Sequence, residues 1–484
     1  MNRRRILSTL LGGLTAEIVG KVVPLLVLRF AIARLGVERF GYAQFGYSLI
    51  DLTITLVVAG YAQTAAVELG RSHDNPSMIK SIVSEVTALK LINAVVGFGL
   101  IVLAFLLVPE YQKYAPVTLT LSWVLLTTAL DMSYVHIGTR RMLSLSVLTI
   151  AVKLLSLTAV LVCVRTPDDL ILFALLYFGA NGLIGLGNFI INVRRFGWCR
   201  PTAIGLKQRF YGSAPFAFMV LLMMILERYD VFFIENLLGP TGAGLYLGTA
   251  RIVQALANVA IAVSAVFFSE IVATESPESL TQHAYLGLWV LCALLMPVAA
   301  GAWLVGGDFI GLVLGPEFHG LGPVFAILVM ALLAQAFVMV FGFQVLMVHR
   351  RAGTISAVLG ASTVVGILLC ILLRQSFGMN GVALANLGSR LVAAGLFLGL
   401  AAKYLTRWPW REILSTAGPA LGMAAALRLL EPLLHLKLVE NLVLGMGFYS
   451  AFFILMNRGK IVAALLALKS TQRPRPNGHS PDTF

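Results

Sequence analysis

The densest group of ionisable residues lies within an apolar stretch, in the run Leu226-Glu227-Arg228-Tyr229-Asp230. Because a helix turns by about 100° per residue, Glu227 and Asp230 would lie about 60° apart, and Arg228 about 160° from Asp230. Arg228 has no acidic residue three or four positions away, so we expect its partner to come from another helix or from a ligand. Two neighbouring carboxylates repel each other, which makes Glu227 and Asp230 candidates for ion coupling.

Other charged residues also interrupt apolar stretches, where a charge is costly and usually faces a cavity. Arg251 shares one helical stripe with Gln254 and Asn258, which predicts a wet face, and its depth predicts a pair with Asp230. The candidates for a substrate-binding cavity are the bases Lys21, Lys153, Arg228, Arg251 and Arg390. The candidates for coupling or charge balance are the acids Glu17, Asp51, Asp131, Glu227 and Asp230.

This set of side chains suits an anionic ligand. A cavity lined with arginine and lysine replaces lost hydration by charge-assisted hydrogen bonds, and the arginine fork matches phosphate bidentately. The alternative is a structural buried network, since such pairs also occur without a ligand. Glu17 and Lys21, four residues apart, could also neutralise each other. Arg29 and Lys90 lie near the ends of their stretches and are expected to reach the membrane interface.

The sequence offers no motif for cofactor, metal or nucleotide chemistry. Gly20-Lys21 lacks the other residues of a phosphate-binding loop, and the seven histidines and four cysteines show no metal spacing. Asp168 and Asp169 follow Thr166-Pro167 and are expected to cap a helix. We therefore expect a protein that is not an enzyme and needs no metal or cofactor, apart from a coupling ion such as H⁺ or Na⁺.

The elements that must position these residues are long apolar segments. Of the 484 residues, 59% are apolar and 12% charged, and the mean hydropathy is +0.89. Soluble domains average about 45–50% apolar and about 25% charged residues, so a soluble enzyme and a disordered chain are excluded. An all-α polytopic membrane protein is predicted instead, since one crossing takes about 20 apolar residues. Its 14 or so transmembrane helices fall at roughly 10–34, 43–66, 84–108, 116–137, 143–164, 170–193, 212–237, 244–270, 284–314, 321–348, 354–373, 380–402, 413–430 and 440–457.

Basic residues in the loops predict the orientation of the chain. One set of alternate loops holds most of them, including Arg140, Arg141, Arg350 and Arg351. The opposite set holds Arg34, Arg39, Lys113, Arg165, Arg374 and Lys437. Both termini are therefore expected in the cytoplasm. The same rule accounts for the net charge of +14, so no nucleic-acid partner is needed to explain it.

Three landmarks recur in the same order at nearly constant spacing. They are Leu35-Gly36 with Leu238-Gly239, Pro109-Glu110-Tyr111 with Pro316-Glu317-Phe318, and Arg140-Arg141 with Arg350-Arg351, at offsets of 203, 207 and 210 residues. Glycine and proline punctuate many membrane loops, which is the alternative explanation. We interpret the pattern as an internal repeat of six helices, with both copies in the same orientation.

A parallel repeat predicts two lobes around a central cavity, a common plan in transporters. Residues 1–200 would form the N-terminal lobe and residues 201–405 the C-terminal lobe. Residues 406–460 would add a pair of transmembrane helices, and residues 461–484 a polar cytoplasmic tail that is expected to be disordered.

The residues at the predicted turns carry a resemblance to a known family. They are Gly36-Val37-Glu38-Arg39-Phe40-Gly41-Tyr42, Leu238-Gly239-Pro240-Thr241-Gly242-Ala243-Gly244-Leu245-Tyr246, Leu314-Gly315-Pro316-Glu317-Phe318 and Phe377-Gly378-Met379-Asn380-Gly381. Over about residues 8–405 the chain resembles the Wzx-type oligosaccharide flippases of the multidrug/oligosaccharidyl-lipid/polysaccharide exporter superfamily. The resemblance implies transfer of an undecaprenyl-pyrophosphate-linked oligosaccharide from the cytoplasmic to the periplasmic leaflet of a bacterial inner membrane. It also implies a role in O-antigen or exopolysaccharide synthesis, with a polysaccharide polymerase and assembly proteins as partners.

Two other functions stay open. A cation-coupled multidrug exporter would have the same fold, but a cavity for cationic drugs would favour acidic and aromatic side chains, whereas here the intramembrane bases equal or exceed the acids. A membrane-embedded glycan-processing enzyme would need a catalytic acid or a metal loop. The balance of charges therefore favours an anionic cargo.

Overall fold

The computed structural model describes residues 3–71, 76–139, 142–272, 276–434 and 437–471. Within these ranges side chains are described from residue 27 to residue 459, apart from a few positions. The described part is helical and contains no strand. The predictions for the side chains of Glu17 and Lys21, for the Arg140-Arg141 landmark and for residues 472–484 lie outside the described residues.

Long helices make up almost all of the described chain. They are α1 (Arg3–Val58), α2 (Tyr61–Arg71), α3 (Pro76–Leu107), α4 (Ala115–Leu121), α5 (Trp123–Leu130), α6 (Ser133–Gly138), α7 (Met142–Cys163), α8 (Leu170–Tyr177), α9 (Gly179–Phe196), α10 (Ala203–Val272), α11 (Pro277–Leu314), α12 (Gly322–Phe337), α13 (Ala352–Ala401), α14 (Trp410–Leu434) and α15 (Leu438–Thr471). Short 3₁₀ turns cover Pro109–Tyr114, Pro167–Asp169, Pro316–Leu321 and Ala402–Tyr404, and a π-helix covers Val338–Leu346.

The apolar length of these helices confirms a polytopic membrane protein. Nine helices of the described part are long and apolar enough to cross a membrane, and a bent pair, Pro109–Leu121 with Trp123–His136 at 42°, makes a tenth. Large apolar side chains also cover the outer surface; Val95 is 74% and Leu372 70% exposed, as lipid contact requires. The total of fourteen crossings stays a prediction.

Single glycines divide the longest helices. The 56 residues of α1, the 70 of α10 and the 50 of α13 each exceed one crossing, and they break at Gly36, Gly239 and Gly378 with φ of 78°, 64° and 54°. Left-handed φ values suit glycine because it has no Cβ. The predicted turns at 35–42 and 238–244 are therefore sharper than expected, since a helix resumes directly after each glycine. We call the end of the bundle with these glycines the turn face.

Two of the three repeat landmarks can be compared, and each has the same local structure in both copies. Gly36 and Gly239 are both left-handed helix breaks, and the Pro-Glu-aromatic segments both form six-residue 3₁₀ turns, Pro109–Tyr114 and Pro316–Leu321. Each turn buries one aromatic ring, that of Tyr114 in the first copy and that of Phe318 in the second. We refer to residues 3–196 as the first half and to residues 203–404 as the second half.

The two halves pack most closely at the turn face. A Cβ added to Gly41 would lie 1.8 Å from the carbonyl oxygen of Pro240, and one added to Gly244 would lie 2.4 Å from that of Val37. One apolar core continues across this contact, and its buried residues come from both halves, such as Phe45 and Val231. The glycines therefore let the helix backbones touch.

Two predicted crossings are interrupted in the structure. The segment 43–66 ends its helix at Val58 and restarts at Tyr61 after Ala59 and Gly60, which both have positive φ. The segment 116–137 is divided into α4, α5 and α6. At the start of the predicted crossing 170–193, the N-cap residue is Thr166 and not Asp168. Asp169 forms a capping box with Thr166. Asp168 instead pairs with Arg39 at 2.8 Å.

The added helices α14 and α15 pack against α11 of the second half. Asn457 accepts a hydrogen bond from Trp289 Nε1 at 3.3 Å and donates one to the carbonyl of Ser415 at 2.9 Å. Tyr449 donates to the carbonyl of Ala293 at 2.8 Å. Helix α15 extends to Thr471, so residues 461–471, predicted as part of a disordered tail, are helical.

Candidate functional site

A cavity of about 520 Å³ lies inside the bundle. Among the residues with described side chains, its wall is formed by α10, α12, the π-helix and α13 of the second half. It contains five of the predicted site residues, namely Glu227, Arg228, Asp230, Arg251 and Arg390. A cavity of this size falls within the usual range for small-ligand sites, about 300–1,000 Å³.

The glycine breaks set the three arginines at one depth. Arg228 precedes Gly239 by 11 residues, and Arg251 and Arg390 follow Gly239 and Gly378 by 12 residues. At about 1.5 Å per residue, each lies roughly 16–18 Å from the turn face. Three separate helix segments therefore bring their guanidinium groups to the same level of the bundle.

Arg228 is neutralised by the first half. Its Nη2 donates to Asp51 Oδ2 at 2.6 Å, and both side chains are 21% exposed. Asp51 lies on the second segment of α1, so this ion pair joins the two halves. The prediction that Arg228 has a partner on another helix is confirmed, and Asp51 is its counter-charge.

Arg251 is held by neutral groups. Its Nε and Nη2 donate to Gln44 Oε1 at 3.3 and 3.1 Å, and its guanidinium carbon is 6.0 Å from the ring centroid of Tyr47. Gln44 is fully buried, and its Nε2 has no partner among the described residues. The predicted pair of Arg251 with Asp230 is wrong, because Asp230 points into a different group of side chains.

Arg390 and Asp230 share an amide but do not form an ion pair. Arg390 donates to Gln335 Oε1 at 2.7 Å and to Asn386 Oδ1 at 2.8 Å. Asn386 in turn donates to Asp230 Oδ2 at 2.8 Å, and Tyr246 donates to the same oxygen. Asp230 is 4% exposed. The Asp230 carboxylate thus accepts hydrogen bonds only from neutral donors, and the Arg390 guanidinium donates to neutral acceptors.

Glu227 lines the cavity without a partner. It has no ion pair or hydrogen bond with any residue that the structure describes. Within those same residues, Arg251 and Arg390 have no carboxylate at ion-pair distance. Among the described residues the cavity therefore holds two arginines without an ion pair, Arg251 and Arg390, and two acids without one, Asp230 and Glu227, besides the Arg228–Asp51 pair.

The lining changes from charged to apolar along the bundle. Away from the arginines and towards the end opposite the turn face, the wall is formed by Phe216, Met223, Phe268, Phe343 and Met347. The π-helix contributes Phe343 and Gln344, whose Nε2 donates to the carbonyl of Ser264 at 2.8 Å. π-helices are often found at functional sites. The cavity thus offers an anion-binding level and an apolar compartment next to it.

Two predicted site residues lie elsewhere, in the first half: Lys153, predicted for the cavity, and Asp131, predicted for coupling or charge balance. Lys153 donates to Asn181 Oδ1 at 2.7 Å, and Asn181 donates to the hydroxyl of Tyr47 at 3.4 Å. This chain of contacts links Lys153 to the ring that Arg251 faces. Asp131 accepts from the backbone N–H and hydroxyl of Ser133 at a helix break. Neither residue lines the 520 Å³ cavity.

One sequence expectation in the first half is wrong. Lys90 does not reach the membrane interface; it is 2% exposed and donates to the carbonyl of Asp131 at 2.7 Å. Its position near a predicted segment end was misleading because α3 begins at Pro76, eight residues before the predicted start at 84.

Sequence reasoning missed the neutral residues that orient the arginines. These are Gln44, Tyr47, Gln335 and Asn386. Gln335 and Asn386 are buried polar residues within strongly apolar helices, which is the signal that would have found them. Gln44 and Tyr47 lie on the face of α1 that meets the second half, and only the packing of the halves shows this.

Comparison with known structures reveals the same fold in two kinds of protein. The lipid II flippase MurJ in an inward closed conformation superposes with a TM-score of 0.68 at 15% identity, covering 94% of this chain and all of that one. The inward-facing conformation of a multidrug resistance MATE family transporter of the MOP superfamily gives 0.60 at 13% identity, covering 80% of this chain and 94% of that one. At these identities the likeness concerns the fold.

Sequence comparison adds a relative and a family. The chain is 22% identical over 359 residues to the "Putative O-antigen transporter" of Escherichia coli (strain K12), covering 71% of this chain and 84% of the relative. The polysaccharide biosynthesis protein family matches residues 4–269, more than half of the chain. The chain belongs to the polysaccharide biosynthesis protein family.

Proposed function

We propose that this protein moves a polyprenyl-pyrophosphate-linked oligosaccharide across a bacterial inner membrane, from the cytoplasmic to the periplasmic leaflet, by ion-coupled alternating access. The family and the names of the relatives support a transporter of this class. Both termini would then be cytoplasmic, with the turn face towards the periplasm. A polymerase and assembly proteins would receive the cargo there.

The observation that carries the proposal is that two cavity arginines are held by neutral side chains. Arg251 and Arg390 are fixed at one depth by amide oxygens of Gln44, Gln335 and Asn386. Amides orient a guanidinium without cancelling its charge, so both forks keep their attraction for an anion. A pyrophosphate carries at least two charges, and two preoriented forks match it. Arg228, which Asp51 neutralises, would bind the cargo less strongly.

The apolar compartment supports the same cargo. A lipid-linked headgroup has an anionic pyrophosphate between a sugar chain and an apolar tail, and neither charge nor sugar tolerates hydrocarbon. The cavity has its arginines at one level, and Phe216, Phe268 and Phe343 line its wall further towards the end opposite the turn face. Aromatic faces can contact sugar rings while the arginines hold the phosphates. Glu227, unpaired among the described residues, is a group that could exchange an ion during transport.

The proposal is tested in cells by the leaflet in which the cargo accumulates. Arg251→Ala and Arg390→Ala should each reduce transport by about 10-fold or more, since one charge-assisted bond is worth about 1.5–3 kcal/mol. Lipid-linked oligosaccharide should collect on the cytoplasmic side while protein abundance stays normal. Arg374→Ala, outside the cavity, is the matched control. Normal surface polysaccharide in both cavity variants would contradict the proposal.

A multidrug exporter of the same fold is the competing function. It predicts that expression raises resistance to cationic drugs and that Glu227→Gln abolishes this resistance. The cavity supports the flippase, because Arg251 and Arg390 lie at one depth without an ion pair among the described residues. Of the two acids without an ion pair, Asp230 is occupied by neutral donors, and Glu227 alone has no described partner. Drug resistance without any effect on surface polysaccharide would favour the exporter.

A further inference from the structure

A second group of buried charged residues lies in the first half, away from the cavity. Its centre is Lys90 on α3, which is 2% exposed. The ammonium donates one hydrogen bond, to the carbonyl of Asp131, and lies 5.7 Å from the ring centroid of Tyr134. An ammonium has three N–H donors. Two of them have no acceptor among the described residues, and no described carboxylate lies at ion-pair distance.

Asp131 is much better satisfied than Lys90. Its carboxylate accepts from the backbone N–H of Ser133 at 3.2 Å, the hydroxyl of Ser133 at 2.8 Å and Asn188 Nδ2 at 2.8 Å. Burial penalises whichever charge lacks hydrogen bonds. In this group that charge is the ammonium, so a change of protonation would fall on Lys90 and leave the Asp131 carboxylate as a fixed counter-charge.

The two charges occupy a break between α5 and α6. Asp131 has φ −59° and ψ 125°, which ends α5, and α6 begins at Ser133. Lys90 binds the carbonyl at the end of α5, and the Asp131 carboxylate binds the first N–H of α6. A positive charge at a helix C-terminus and a negative charge at an N-terminus are both favourable. The charge of Lys90 therefore stabilises the geometry of this break.

Around Lys90 and Asp131, three further buried polar atoms have no hydrogen-bond partner among the described residues. They are Thr87 Oγ1, Tyr134 OH and Asn188 Oδ1, which come from α3, α6 and α9. Thr87 precedes Lys90 by one helical turn, the Tyr134 ring contacts its ammonium, and Asn188 binds Asp131. Buried polar groups need partners, and small polar sites commonly supply them through water. The site therefore suits proton exchange with water.

A polar pocket leads towards the site from the end opposite the turn face, although Lys90 itself does not line it. It has a volume of about 230 Å³, lies between the halves and reaches Val86, one helical turn from Lys90 on the same face of α3. The titratable and charged groups around this route and the site are Tyr61, Glu68, Glu85, Asp131, Tyr134, His136 and Arg209. Arg209 forms ion pairs with both Glu68 and Glu85, so the charges of these three groups compensate one another.

We propose that Lys90 is a proton-exchange site of the first half and that its proton is the coupling ion of transport. The ammonium gives its proton to a water molecule at the site and the amine keeps the electron pair; reprotonation reverses the step. Loss of the charge at the end of α5 would let the break move. The coupling role rests on the proposed transport function, whereas proton exchange at Lys90 does not.

Proton exchange is measured directly on the purified full-length protein. With ¹³C-labelled lysine, the resonance missing in Lys90→Gln identifies Lys90, and Lys153→Gln identifies another lysine as a control. We expect the Lys90 signal to change between ammonium and amine as the pH is varied over the range in which the protein stays folded. A Lys90 signal that stays ammonium throughout would overturn the proposal.

Coupling is measured in proteoliposomes with a pH gradient. Lys90→Arg keeps the charge and the fold but does not release a proton. It should bind lipid-linked oligosaccharide normally yet lose acceleration by the gradient. Lys90→Arg that still responds to the gradient as the wild type does would overturn the coupling role. Exchange at Lys90 without any transport by the wild type would instead refute the proposed function alone.

Discussion

At the residue scale, the cavity arginines differ in what holds them. Arg228 has a carboxylate partner at 2.6 Å, whereas Arg251 and Arg390 have amide partners. A partly buried ion pair is worth little in itself, but removing one member leaves a charge without compensation. The role of Arg228 is therefore expected to be structural, in contrast to the other two.

This difference predicts the outcome of neutralising the Arg228–Asp51 pair. Arg228→Gln or Asp51→Asn alone should lower stability by about 1–3 kcal/mol, because each leaves the other charge unpaired. The double variant should recover most of the loss in stability and much of the transport. Thermal unfolding in detergent and a transport assay measure both quantities. Additive losses in the double variant would mean that the two residues act independently.

The sequence predicted the positions of the cavity charges better than their partners. Helical spacing was enough to infer that Arg228 needs a partner on another helix, and Asp51 provides it. It could not reveal that Asp230 turns towards Tyr246 and Asn386, since Asn386 lies 156 positions away and only the folded bundle brings it close. Lys90 was misplaced for a similar reason, because the true start of α3 changes its depth.

At the scale of elements, the turn face depends on two glycines. A Cβ on Gly41 would collide with the backbone of Pro240 at 1.8 Å, and a backbone atom cannot rotate away as a side chain can. Gly41→Ala should therefore push α1 and α10 apart and destabilise this contact by about 1–3 kcal/mol. Gly99→Ala, which meets nothing within 4 Å, is the matched control. Equal thermal stability of the two variants would contradict the close packing.

The glycine breaks themselves were partly predictable. Gly36 and Gly239 were found as repeat landmarks, and both are left-handed breaks. The length of the turns was not predictable from the sequence, because hydropathy does not distinguish a single kinked residue from a short loop. The interruption at Asp131 was also missed, since neither proline nor glycine marks it; the Lys90 and Ser133 contacts that stabilise it come from packing.

The attachment of α14 and α15 depends on a buried amide. Asn457 is 2% exposed and bonds to Trp289, Ser415 and Phe453. Asn457→Ala should lower the thermal stability by about 1–3 kcal/mol, because it removes buried hydrogen bonds. The exposed Asn380 provides the control Asn380→Ala. If Asn457→Ala were as stable as the wild-type protein, this account of how the added helices dock would be refuted.

At the scale of the whole molecule, the halves also meet at the end opposite the turn face. Arg209 binds Glu68 at 2.6 Å and Glu85 at 2.7 Å, and the hydroxyls of Thr64 and Ser213 are 3.0 Å apart. Alternating access requires these contacts to open. They are polar and lie beside a pocket, unlike the backbone contact at Gly41, so we expect them to separate readily.

A cross-link tests this opening. Thr64→Cys with Ser213→Cys, in a variant without the four native cysteines, should form a disulfide, since their side-chain oxygens are in contact. Oxidation should stop transport and a reductant should restore it, while either single cysteine should have no effect. Undiminished transport by the oxidised protein would mean that this end need not open.

The central claim is that this chain flips a lipid-linked oligosaccharide by means of Arg251 and Arg390. The most direct measurement is a proteoliposome assay that follows the fraction of a labelled polyprenyl-pyrophosphate oligosaccharide accessible to an impermeant glycosidase. We predict that the wild-type protein makes the whole pool accessible, whereas the double variant Arg251→Gln/Arg390→Gln leaves about half of it protected, as in protein-free vesicles. Equal protection with wild-type protein and without protein, or full access with the double variant, would contradict the account.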